Sequence, residues 1–310
     1  MNRREFLAGA GTLAAIAALR EAKGAEILPR KHKVLRWEEL TAEDFVKARE
    51  ATGGVCLVPL SCLEKHGRHL PIGTDYYIAT EYCERAAAME PAVVFPPIPF
   101  GCVSECRHVA GTVGIRSDTM LNLLRETCEE IGRNGFTKIV LVNGHGGNAP
   151  LIHYFVRSYL DDPHSYNVYF HTAHYEGTDE SDFAKKLGPG EGFPRDTLPE
   201  CGHGGVQETS LIMACKPETV HMDRAVKGEG HRLERLAAFK DKGIEGSLDW
   251  YADYPTHLQG DPFGSNVEAG EFLFDLTASK IARNVRLIKA DKVTKELVDA
   301  YRKSTENPGL

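Results

Sequence analysis

The chain has 310 residues, 42% of them hydrophobic and 26% charged, with 37 basic and 44 acidic side chains and a formal charge of −7. Such a composition suits a globular domain large enough to bury a core and shows no signature of disorder. The acidic balance excludes the basic footprint of a nucleic-acid binder, so small-molecule chemistry is the default.

Arg3 and Arg4 stand ahead of Phe6 and Leu7, an Ala/Gly-rich apolar run continues to Leu19, and Ala22 and Gly24 offer small residues for cleavage. Residues 1–25 therefore read as a twin-arginine export signal, which implies the export machinery as a partner and a periplasmic or extracellular location. The apolar run is shorter than the roughly 20 residues a membrane-spanning helix needs.

Beyond the signal, short β-branched runs alternate with helical patterns. Strands are expected at 55–60 (VCLVPL), 92–100 (AVVFPPIPF), 138–143 (KIVLVN) and 167–173 (NVYFHTA). Helices are expected at 75–89, 117–135 and 149–160, with Ser117 as an N-cap and Gly135 just past the last turn, and a final helix at about 268–288. Strands that read as unbroken apolar runs are buried on both faces, so the alternation predicts an α/β fold with a mostly parallel sheet covered by helices. Residues 176–200 are acidic and rich in Gly and Pro without a clear period, and read as a long loop over the strand ends.

The eight cysteines show no CxxC spacing, and those in apolar runs, such as Cys56, read as buried thiols. Cys102 and Cys106 are the best candidates for a disulfide.

Three polar clusters carry the chemistry: LEKHGRHLPIGTD (63–75), VNGHGGNAP (142–150) and GHGGVQETS (202–210). Glu64 and His66 lie two apart, so an extended backbone projects both to one side, and Asp75 returns at the start of the next helix. Each cluster alone has a plainer reading, as a surface ion pair or a glycine-turn histidine. Together, at strand and helix ends where parallel sheets gather their ligands, they point to a site. Carboxylates mixed with imidazoles suit zinc, manganese or iron in a hydrolytic centre.

These motifs resemble the creatininase family of metal-dependent amidohydrolases. PLSCLEKHGRHLPIGTD (59–75) is similar to the family's first motif, PxGSxEQHGxHLPxxTD, while NGHGGN (143–148) and HGGVQETS (203–210) match the second and third. GTVGI (111–115) and GDPFGSNVEAGE (260–271) correspond to further segments, so the likeness spans roughly residues 35–290. The resemblance implies a three-layer α/β/α sandwich, a catalytic domain over 35–300, and two divalent metal ions per chain, often in a homo-oligomer such as a hexamer. Carried over position by position, Glu64 and His145 hold one metal, His66 the other, and Asp75 bridges them. Creatininase itself uses a glutamate two residues after the second-motif histidine; Gly147 stands there, and the resemblance moves that role to Glu208. A metal pair would acidify a shared water and polarise the scissile carbonyl of an amide. His203 is placed by the motif to shuttle a proton to the leaving nitrogen.

His69 is expected to orient a ligand rather than bind metal, and Asn143 and Asn148 to pin the turn around His145. Two departures bear on substrate. Cys106 falls where the family usually has a His, with His108 as a nearby substitute, and neither Trp37 nor Trp250 lies between the second and third motifs, where creatininase places the tryptophans enclosing creatinine. The expected activity is therefore hydrolysis of another cyclic or small linear amide, the alternative being a non-catalytic periplasmic binding or scaffold protein on the same fold.

Overall fold

The structure, a computed structural model, describes residues 26–172, 202–306 and 308–309; residues 1–25, expected to be an export signal, and 176–200, expected to be a long loop, fall outside them. Five strands form a wholly parallel sheet: β1 Leu35–Arg36, β2 Val55–Leu60, β3 Val93–Val94, β4 Lys138–Asn143 and β5 Asn167–Thr172, in the order β1-β3-β2-β4-β5. β2 and β4 lie side by side in register from Val55 opposite Lys138 to Leu60 opposite Asn143.

The helices are α1 Ala42–Ala51, α2 Thr74–Met89, α3 Ser117–Arg133, α4 Ala149–Ser158, α5 Val206–Cys215, the short α6 Ala237–Lys240 and α7 Asp249–Asp253, then α8 Val267–Ala290 and α9 Val293–Glu306. Side chains alternate across the central strands and build two cores. Val55, Leu57, Val140 and Val142 pack with Ile78 and Tyr82 of α2, Leu211 of α5 and Phe274 of α8. Cys56, Val58, Ile139 and Leu141 pack on the other face with Leu124 and Ile131 of α3 and Ile152 and Phe155 of α4. The result is the expected three-layer α/β/α arrangement, because strands apolar on both faces must be covered on both.

The chain runs from β2 through α2 to β3 on one side, and from β4 through α4 to β5 on the other. The order thus reverses between β2 and β4, where open parallel sheets place their ligands beyond the carboxyl ends of the strands.

Some expectations are corrected. Of the 92–100 run only Val93–Val94 is a strand, because Pro96, Pro97 and Pro99 lack the N–H that a ladder needs, while Ile98 keeps a single bridge to Leu60. Ser117 is the first residue of α3 rather than its cap; Arg116 takes that position without a capping hydrogen bond from its side chain. Gly135 does follow the helix end, at φ +90°. Cys102 and Cys106 are free, as is every cysteine among the described residues.

Candidate metal centre

Four chain segments meet beyond β2 and β4. The loop after β2 brings Glu64 and His66, the first turn of α2 brings Asp75, the turn after β4 brings His145, and the 202–208 turn brings His203 and, in the first turn of α5, Glu208. Asp75 and Glu208 sit where a helix N-terminus stabilises negative charge. Glu64, His66, Asp75, His145 and Glu208 are all buried, at most 9% exposed.

Asp75 divides its two oxygens between two imidazoles. Oδ2 lies 3.0 Å from His145 Nδ1 and Oδ1 lies 2.9 Å from His66 Nε2. On the first side Glu64 Oε1 is 2.8 Å from the same His145 nitrogen; on the second, Glu208 Oε2 is 3.5 Å from His66 Nε2. Of the candidate ligand groups, two adjacent ones share Asp75: Glu64, Asp75 and His145 with the Cys62 thiol, and His66, Asp75 and Glu208. Cys62 Sγ stands 3.3 Å from Asp75 Oδ2.

Backbone carbonyls set the histidine tautomers. His66 Nδ1 donates to the Glu64 carbonyl at 3.3 Å, His145 Nε2 to that of Cys102 at 2.9 Å, and His203 Nε2 to that of Lys65 at 2.7 Å. The second nitrogen of each ring is thereby left as a lone pair turned towards carboxylate oxygens. Lone pairs facing lone pairs at such distances need a cation between them, and Glu64 Oε1 and His66 Nε2 are buried with no hydrogen-bond partner. The residues present fit a pair of divalent ions. Without ions, protons fill the gap: burial opposes a charge on His66, but Asp75, Glu208 and Glu64 outweigh it and lift its pKa to about 10. Glu64 raises His145 in the same way, again against burial. Burial and the carboxylate neighbours push Glu208 up to about 7, against the pull of His66.

His203 stacks on His66, with ring centroids 3.9 Å apart, and its Nδ1 is 3.8 Å from Glu64 Oε1. Burial and His66 lower its pKa to about 3, so the ring is neutral with Nδ1 open to the site. Gly147 admits no side chain: a Cβ there would overlap the Cys102 carbonyl oxygen and come within 2.6 Å of His145 Nε2. Glu208, from a different element, faces the His66 side instead.

The supporting residues stand where the sequence places them. Asn143 Nδ2 donates to the His145 carbonyl at 2.6 Å, and Asn148 spans from the Ser61 carbonyl to the Cys102 amide. His69 Nε2 meets Thr209 Oγ1 at 2.9 Å, beside Glu208, and belongs to no ligand group. His108 does not replace the family histidine: it is exposed, and its ring nitrogens face the Glu105 and Pro255 carbonyls.

Sequence reading missed His257 and the reach of Trp250. His257 Nε2 is 2.7 Å from Glu64 Oε2, and its Nδ1 accepts the Trp250 indole N–H at 3.0 Å. Against burial, the neighbouring Cys106 and Glu64 raise its pKa to about 9 by favouring a second proton; in the neutral ring the indole N–H aimed at Nδ1 leaves the one ring proton on Nε2. Trp250 also lies against His203, centroids 5.6 Å apart, so a tryptophan does reach the site, from beyond the third motif. No spacing rule links His257 to the three clusters; only the nearby GDP segment at 260–262 marks the region.

A buried carboxylate–imidazole centre at the switch point of a parallel sheet defines a metal-dependent hydrolase. The sequence profile of the creatininase family, described as creatinine amidohydrolase, matches residues 38–285. Creatinine amidohydrolase of Pseudomonas putida is 30% identical over 208 residues, covering 61% of this chain and 74% of the relative. The mycofactocin precursor peptide peptidase of Mycobacterium ulcerans is 29% identical over 243 residues, covering 73% and 84%. A solved manganese creatininase superposes with a TM-score of 0.66 at 25% identity, covering 82% of this chain and 98% of the other. The chain belongs to the creatininase family and is a metal-dependent amide hydrolase.

Proposed function

We propose that the protein is an exported homo-oligomeric enzyme that hydrolyses a cyclic or small linear amide at a centre of two divalent ions, zinc, manganese or iron. The observation that carries this reading is the division of Asp75 between His145, at 3.0 Å, and His66, at 2.9 Å. Glu64 and His145 would hold one ion, His66 and Glu208 the other, with Asp75 between them. Such a pair supplies Lewis acidity and an acidified water close to the scissile carbonyl.

The chain's own residues do the rest. His203, tied at Nε2 by the Lys65 carbonyl, keeps Nδ1 free to take a proton from the attacking water and return it to the leaving nitrogen. Glu208 faces His66 while its Oε2 accepts the Gly204 amide at 2.5 Å, which fixes its direction. Trp250, half-buried beside His203, offers an apolar wall for a small planar amide. The precursor-peptide peptidase relatives favour a second substrate class, the amide bond of a peptide. Arg3, Arg4 and the apolar run to Leu19 support export through the twin-arginine route.

Elemental analysis of the purified protein beside Glu208→Ala tests the reading. Two ions per chain falling to one in the variant, with turnover of lactam or linear amide substrates by wild type alone, is the expected result. A wild type that holds one ion or none after reconstitution with zinc, manganese and iron would overturn it in favour of a non-catalytic binding or scaffold protein.

A further inference from the structure

We infer that His257 is a positioning residue that aims the Glu64 carboxylate at its metal, and that Trp250 fixes the tautomer in which it can do so; the inference rests on the metal-centre reading above. His66, His145 and His203 each spend one ring nitrogen as a donor to a backbone carbonyl and turn a lone pair inward. His257 is built the opposite way. An indole N–H only donates, so His257 Nδ1 must accept from Trp250 at 3.0 Å, and the ring proton sits on Nε2, 2.7 Å from Glu64 Oε2. The proton thus faces Oε2 of Glu64, and Oε1, buried and without a hydrogen-bond partner beside His145 Nδ1, is the oxygen that would be left for an ion. A hydrogen-bonded support of this kind fixes the orientation of a ligating carboxylate.

The same tautomer decides against a rival reading. Glu64, Cys106 and His257 cluster closely enough to suggest a third ion. A ring with Nδ1 occupied by the indole and a proton on Nε2 has no lone pair to give, so this trio supports the neighbouring centre instead of holding a cation. The backbone agrees that the placement is specific. His257 sits at φ +57°, a left-handed conformation uncommon for a histidine, and its carbonyl accepts the Gly67 amide at 3.0 Å, tying it to the loop that carries Glu64 and His66. The ring itself is 2% exposed.

Two amide substitutions separate the hydrogen bond from mere packing. His257→Gln places a side-chain N–H where Nε2 stands, whereas His257→Asn tolerates the left-handed backbone but is too short to reach Glu64. Metal affinity by chelator competition is the readout, with the visible spectrum of the cobalt-substituted protein as a second. The expected result is two ions in wild type, roughly 10–100-fold weaker binding of one of them in His257→Asn with a changed cobalt spectrum, and recovery to within a few-fold in His257→Gln. Trp250→Phe, which removes the N–H, should weaken binding less than His257→Asn and in the same site. Equal affinity in wild type and His257→Asn overturns the inference, as does equal loss in both amide variants. Three ions in wild type falling to two in both variants would make His257 a ligand and overturn it as well. A wild type that binds no metal pair fails the functional reading itself, which distinguishes the two.

Discussion

At the scale of single residues, the centre is a set of acceptors arranged to face one another. Glu64 and His145 meet at 2.8 Å with no proton between them in the neutral tautomer, so replacing either by Ala should strip metal and activity. Both lie beyond the strands and outside the two cores, so circular dichroism should report a folded protein; retention of two ions in both variants would contradict the ligand assignment. The titration of His66 gives a pH dependence whose sign is fixed. Its pKa rises from 6.5 to about 10 in the metal-free fold, so the ring must shed a proton before it can ligate. Apparent metal affinity should therefore climb between pH 6 and 9, by isothermal titration in buffers of different ionisation enthalpy, with proton release on binding. The stability linkage of the metal-free protein runs the other way: the His66 contribution is whole below about pH 6.5 and fades as pH rises through about 10.

At the scale of elements, the candidate ligands are delivered by turns that only certain residues can make. Gly204 lies at φ +71°, and a Cβ there would stand 2.9 Å from Leu258 Cδ1 and 3.0 Å from the His66 carbonyl carbon. Gly204→Ala should cost about 1–3 kcal/mol of backbone strain and displace the amide that holds Glu208. Loss of one ion with a lowered denaturation midpoint would show this, and an unchanged ion count would exclude it. β2 and β4 were legible to the residue because their apolar runs are unbroken and bounded by turns, and Glu64, His66, Asp75 and His145 follow from their motif spacing. The site histidine that sequence could not supply, His257, is held by tertiary contacts with Trp250 and Glu64, 193 positions distant from the latter, which no local period encodes. The strand expected at 92–100 shrank for the converse reason: β-branched propensity was overridden by three prolines whose missing donors are a local fact.

At the scale of the whole molecule, the metal centre joins segments from the two faces of the sheet, since α2 and α5 belong to one core while the turn after β4 leads into α4 of the other. Ion binding should therefore stabilise the whole domain. At free ion 100 times Kd the gain is about 2.7 kcal/mol per site, and a chelator should lower the thermal midpoint by roughly 2–4 °C for each kcal/mol lost. A midpoint indifferent to chelation would mean that the centre is energetically isolated from the fold. The homo-oligomer is checked separately by sedimentation; α9 leaves Leu297 and Tyr301 exposed at 63% and 45%, and a strictly monomeric protein would count against that part of the proposal.

The tethering of His66, His145 and His203 to main-chain carbonyls has a kinetic corollary. Because those carbonyls belong to the Glu64–Lys65 segment and to Cys102, the imidazoles are oriented when the chain folds and not when the ion arrives. An incoming ion then meets a finished receptacle, and the slow events are the loss of its own hydration water and the departure of the protons that stand in for it. Capture should accelerate with rising pH while leaving the far-ultraviolet circular dichroism unaltered, so that the protein responds to its metal as a lock responds to a key already cut.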